Sequence, residues 1–127
     1  MGHVFAIAVG GAAGTVCRYA VSCACLRWMG TYFAYGTLAV NVTGCFLVGL
    51  LIESRVATTA RWEDVTHSEL IVGFLGTLTT FSAFGLETAR FFQNAQHALG
   101  LINIAGNMLL GLTAVYGDVQ MARWIIS

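Results

Sequence analysis

Lysine and proline are both missing from this 127-residue chain, and charged residues of every kind make up only 9% of it. Soluble domains carry about 25% charged residues, so an aqueous fold is excluded and a lipid-embedded one is implied. All six basic residues are arginine, and six acids balance them. A net charge of zero leaves no electrostatic footprint for nucleic acid. Without proline, a helix break has to come from glycine or from hydroxyls that compete for backbone hydrogen bonds. The start, Met-Gly-His-Val-Phe, has no positive region, and the apolar run behind it is too long for a signal peptide, so that run is read as a true span.

The four cysteines, Cys17, Cys23, Cys25 and Cys45, lie inside apolar runs and form no CxxC pair. His3, His67 and His97 stand near span ends, away from metal-ligand spacing. The cysteines therefore read as small apolar fillers, not as a disulfide or metal set. There is no nucleophile beside a base and no phosphate loop. Enzymatic chemistry is not expected.

What the chain does have is length in lipid. About 20 apolar residues make one crossing, and four stretches qualify: about Val4 to Leu26, Gly36 to Ile52, Leu70 to Ala89 and Ala98 to Tyr116. The expectation is a single all-α membrane domain covering residues 1–127, with one aqueous loop from Glu53 to Glu69. Arginines collect on the cytoplasmic side, but here Arg55, Arg61 and Arg123 face Arg27 and Arg90, with Arg18 inside the first span. That near-balance leaves open one fixed orientation or insertion both ways as an antiparallel pair. Small residues recur at contact spacing (Ala6, Gly10 and Gly14; Gly44 and Gly49; Gly106 and Gly111), which lets membrane helices approach closely within or between chains.

Polar side chains at membrane depth cost free energy and are functional candidates. Arg18 lies about four turns into the first span. Asn41 sits early in the second, one turn after Thr37. Asn103 and Asn107, at i and i+4, share a face of the fourth. The densest cluster is in the third span, where Gly-Thr-Leu-Thr-Thr-Phe-Ser-Ala-Phe runs from Gly76 to Phe84 and Glu87 and Thr88 follow. Non-helical backbone at this depth is tolerated only against protein or a water-filled cavity. Gly73, Gly76 and the threonine run are the places where this helix would break. Carbonyls freed there would suit a cation. Phe81 and Phe84 would offer electropositive ring edges to an anion.

Three motifs, Gly-Gly-Ala-Ala-Gly-Thr-Val-Cys-Arg-Tyr, Gly-Thr-Leu-Ala-Val-Asn-Val-Thr-Gly and Gly-Phe-Leu-Gly-Thr-Leu-Thr-Thr-Phe-Ser-Ala-Phe-Gly-Leu-Glu-Thr, resemble in content and order those of the CrcB/Fluc fluoride-channel family, over the whole chain. The resemblance implies four membrane helices with a broken third helix, assembled as an antiparallel, dual-topology homodimer in the bacterial plasma membrane. It implies passive, selective passage of fluoride, which relieves the toxicity of hydrogen fluoride that enters and ionises. Phe81 and Phe84 would line the fluoride path with Asn41, Ser82, Arg18, Asn103, Asn107 and Glu87. The backbone carbonyls of Gly76 and Thr79, from both chains, would enclose a structural sodium ion. Membrane lipid and a second copy would be the other partners. Thr77 stands where the family has a second glycine, Ala83 where it has a threonine, and Asn107 where a serine is more common.

Two other classes share parts of this pattern. A small dual-topology proton-coupled multidrug exporter needs a carboxylate in the first span, and this one has none. A non-transporting structural membrane subunit would account for the glycines but not for the third span.

Overall fold

A computed structural model of the chain describes residues 1–57 and 65–126. They form helices α1 (Gly2–Met29), α2 (Tyr35–Ala57), α3 (Val65–Leu78), α4 (Phe81–Gln93), α5 (His97–Ala105) and α6 (Gly111–Ile126), with one π-helical turn, Gly106–Leu110, joining α5 to α6. By length and composition three helical stretches are able to cross a membrane: Gly2–Met29, Ile71–Gln93 taken across its interruption, and His97–Ile125. Tyr35–Leu51 is a shorter apolar helix. At 1.5 Å per residue, α1 is about 42 Å long, more than the roughly 30 Å of a hydrocarbon core. The protein is a multi-pass, all-helical membrane protein.

The helices pack through their smallest residues. On α1 the buried positions are Ala6, Gly10 and Gly14, a stripe that faces α3. A Cβ on Gly14 would run into the Phe74 carbonyl oxygen and Thr77 Oγ1, and one on Gly73 would fall 2.5 Å from the Ile7 carbonyl oxygen. Backbone therefore meets backbone here, as small-residue membrane interfaces allow. The other main pairings are α2 with α6 and α4 with α5. Val40, Leu75 and Leu78 form the core, with Leu47, Ile71 and Phe74 packed round it. Most large apolar side chains of α1 remain exposed, the pattern of a surface that meets lipid or another helix.

Two expectations need correction. The aqueous loop expected over 53–69 is shorter, because α2 runs to Ala57 and α3 starts at Val65. Polar residues there are helix-compatible, and none is glycine or proline. Arg61 lies outside the described residues, as do the side chains of Glu53, Arg55 and His67. Gly73 and Gly76 do not interrupt the third span: both are helical, and the chain leaves the helix only at Thr79 and Thr80. Glycine permits a break but does not cause one. The cause is a competing set of hydrogen bonds just downstream.

Candidate functional site: a polar seam at a helix interruption

Thr80 is extended (φ −150°, ψ 113°) and caps α4, its Oγ1 accepting from Ala83 N at 3.2 Å. Threonine is a favoured N-cap because its oxygen satisfies one of the orphan amides of a first helical turn. The other backbone groups of Thr80 go to α2. Its N–H donates to Asn41 Oδ1 at 2.8 Å, and its carbonyl accepts from Asn41 Nδ2 at 3.3 Å. The Asn41 carboxamide thus stands in for a neighbouring peptide.

This diversion has a consequence one turn back. In an unbroken helix the Thr80 amide would bond the Gly76 carbonyl and the Ala83 amide the Thr79 carbonyl. Both donors are spent elsewhere. Gly76 and Thr79 border an open groove of about 370 Å³ with Gly44, Cys45 and Val48. A Cβ on Gly76 would meet nothing within 4 Å. Thr79 itself is tied back, its Oγ1 donating to the Leu75 carbonyl at 3.0 Å and its methyl filling the space over Gly44.

From Asn41 a line of hydrogen bonds crosses to the last long helix. Asn41 Nδ2 donates to Asn107 Oδ1 at 2.8 Å. Asn107 Nδ2 donates to the Asn103 carbonyl at 3.0 Å and to Asn103 Oδ1 at 3.2 Å. Asn103 Nδ2 donates to Thr88 Oγ1 at 3.0 Å, and Thr88 Oγ1 to the Phe84 carbonyl at 2.7 Å. Asn103 and Asn107 are buried, and Asn107 lies in the π-helical turn. Such turns open the backbone by one residue and occur often at functional sites.

Beside the seam, Phe84 is buried and Phe81 is 76% exposed, with ring centroids 5.4 Å apart and planes tilted 53°. Ser82 Oγ lies 3.2 Å from Thr80 Oγ1. Nearer the end of the subunit, Thr37 Oγ1 donates to Glu87 Oε1 at 2.7 Å, while Glu87 Oε2 is buried with no partner. Glu87 and Thr37 line a cavity of about 100 Å³ with Ser22, Cys25 and Phe33.

The comparisons with known proteins agree with this architecture. The family model for CrcB-like protein, Camphor Resistance (CrcB), matches residues 5–119. The chain belongs to the CrcB-like family. A CrcB-like relative from Rhizobium etli, named fluoride-specific ion channel FluC, is 42% identical over 121 residues, covering 95% of this chain and 96% of its own. One of the same name from Dehalococcoides mccartyi is 41% identical over 118 residues, covering 91% and 88%. A third, from Maridesulfovibrio salexigens, is 36% identical over 124 residues and covers 95% of each.

Among the residues singled out in this CrcB-like chain, the structure brings Asn41, Asn103, Asn107, Ser82 and Phe84 to one seam. Phe81 flanks it from the exposed side, and Glu87 stands apart at its own cavity in the interior of α4. Arg18 is half-buried on α1 and takes no part in the seam's hydrogen bonds. The interruption lies at Thr79 and Thr80, inside the threonine run that the sequence marked, though no single threonine was picked out. Sequence reading missed one residue. Asp118 on α6 is buried against Gly49, with Oδ2 unpartnered, and no motif marks it.

Proposed function

We propose that this chain is a fluoride-selective channel that lets the anion leave passively across the bacterial plasma membrane. The observation that carries this is the seam itself: carboxamides and hydroxyls line up at membrane depth beside a phenylalanine pair, with no cation fixed among them. Fluoride is small and strongly hydrated, so a pore has to replace its water with donors. Neutral amides, hydroxyls and ring edges do so without the counter-charge that would trap the ion, and conduction needs binding weak enough to release. Relatives of nearly the same length, named as fluoride-specific ion channels, support the same reading.

In this reading four spans make the subunit, counting Tyr35–Leu51 as a span, and the third is the helix interrupted at Thr79 and Thr80. Two copies pair antiparallel in a dual-topology homodimer. The exposure of Phe81 supports a pore wall completed by the second copy. Phe81 and Phe84 face the anion with ring edges, Asn41, Ser82, Asn103 and Asn107 supply polar contacts along its path, and Arg18 and Glu87 act at the ends.

The residues present also fit a sodium ion between the copies. The carbonyls of Gly76 and Thr79 have lost their intrahelical donors, and the two residues border an open, largely apolar groove where a second copy could seat and bring them to a hard cation. When bound, such an ion would offset carbonyl dipoles that repel anions and would favour the paired state.

The test is fluoride efflux from liposomes containing the purified protein, with chloride as the control anion. Fluoride loss far above protein-free vesicles, without matching chloride loss, is expected. Equal passage of both anions, or none of either, overturns the reading, and the second result would favour a structural subunit.

A further inference from the structure

The amide donors of Asn41 and Asn107 are both engaged. Asn41 has two amide hydrogens; one goes to the Thr80 carbonyl and the other to Asn107 Oδ1. Both amide hydrogens of Asn107 go to Asn103, and the single hydroxyl hydrogen of Thr88 goes to the Phe84 carbonyl. Each of these bonds runs away from Asn41, whose own Oδ1 accepts from the Thr80 N–H. An anion that arrives at Asn41 therefore finds no open N–H and has to displace an acceptor already in place.

The two acceptors on Asn41 differ in what their removal requires. The Thr80 carbonyl is main chain and belongs to a residue whose N–H and carbonyl are both held by Asn41, so it withdraws only if the interruption moves. Asn107 Oδ1 sits on a side chain and withdraws by rotation about its own bonds. It is also the closer of the two, at 2.8 Å against 3.3 Å. It stays because Asn107 is anchored by its own amide to Asn103, which is fully buried.

We infer that Asn107 is a tethered competitor for the anion: its carboxamide oxygen holds the Asn41 N–H that the ion would take, and so sets how weakly the ion is held. The inference rests on the fluoride reading above and deepens it. It adds to the polar contact proposed for Asn107 a positioning role exerted through Asn41. A shorter side chain at this position would not reach Asn41 and would leave that N–H open. Since a hydrogen bond to a neutral amide contributes a net of about 1 kcal/mol, removing the competitor should tighten anion binding by about fivefold.

The test compares wild type with Asn107→Ser and Asn107→Ala in two measurements: fluoride binding to the detergent-solubilised dimer by calorimetry, and the fluoride concentration giving half-maximal flux in liposomes. Both variants should lower both values about fivefold, while Asn107→Gln, which keeps the carboxamide, stays nearer wild type. In an Asn41→Ala background the Asn107 substitutions should no longer shift binding, an interaction that a purely structural role would not produce. Values unchanged or raised in Asn107→Ser and Asn107→Ala overturn the inference while wild-type fluoride flux leaves the function standing. A variant that fails to yield a dimer counts against it too, since it makes Asn107 a packing residue. Absence of wild-type flux sinks the parent reading instead.

Discussion

Asn41 and Thr80 meet as two amides meet in a sheet, the side chain of one giving and receiving along the peptide of the other. The pairing spans two helices and 39 positions of sequence. It replaces the intrahelical bond that the Thr80 amide gives up, so the interruption is held open by a partner and not by strain.

Asn41→Leu should for this reason destabilise the subunit. It leaves the buried Thr80 N–H without an acceptor, a loss of about 1 to 3 kcal/mol. Thermal unfolding in detergent measures it. Asn41→Asp keeps the acceptor for Thr80 N but sets a carboxylate against the Thr80 carbonyl and Asn107 Oδ1, and should be no more stable. An unfolding temperature unchanged in Asn41→Leu would show that the interruption does not depend on this contact.

The two phenylalanines should separate under the same substitution. Phe84→Ile and Phe81→Ile both remove a ring edge and should both cut fluoride flux heavily. Only Phe84 is buried within the subunit, so only Phe84→Ile should also lower subunit stability, by about 1 kcal/mol. Near-normal flux in both variants would leave the rings as packing alone.

Two glycines on the same pair of helices should also part company. Gly14→Ala places a methyl group against the Phe74 carbonyl, which belongs to the backbone and cannot turn away, so α1 and α3 must separate and the yield of folded protein should fall. At Gly76 the same methyl meets nothing inside the subunit. Gly76→Val should therefore fold yet lose dimer, seen as a shift to monomer in size-exclusion chromatography. A stable, active Gly76→Val dimer would argue against an interface and a cation there.

Orientation gives the fourth expectation. A reporter at the C-terminus should be found on both sides of the membrane in comparable amounts. Two lysines added between Ala57 and Val65 should fix one orientation and abolish flux until an oppositely biased copy is supplied. Detection on one side only in the unmodified chain would rule out dual insertion.

Much of this was legible in the sequence because lipid narrows the choices: long apolar stretches have to be helices, and the all-helical membrane class follows. The stripe Ala6, Gly10 and Gly14 likewise announced a close contact. The interruption was legible only as a stretch, Gly73, Gly76 and the threonine run; it falls in that run, at Thr79 and Thr80, while the two glycines stay helical. What moves the break to Thr80 is a side chain 39 residues upstream, which local propensity does not see. The π-helical turn escaped for a related reason. Gly106 and Asn107 carry no local signal for it, and Asn107 is held by Asn41 on another helix.

The hydrogen bonds that leave Asn41 and end at the Phe84 carbonyl give each subunit a polarised wire with a head and a tail. A single wire across a membrane would favour current in one direction. If two copies pair antiparallel as proposed, they would carry two wires of opposite sense whose dipoles cancel along the membrane normal. Current through such a pair should then be the same size for either sign of voltage, a non-rectifying conductor built from rectifying halves.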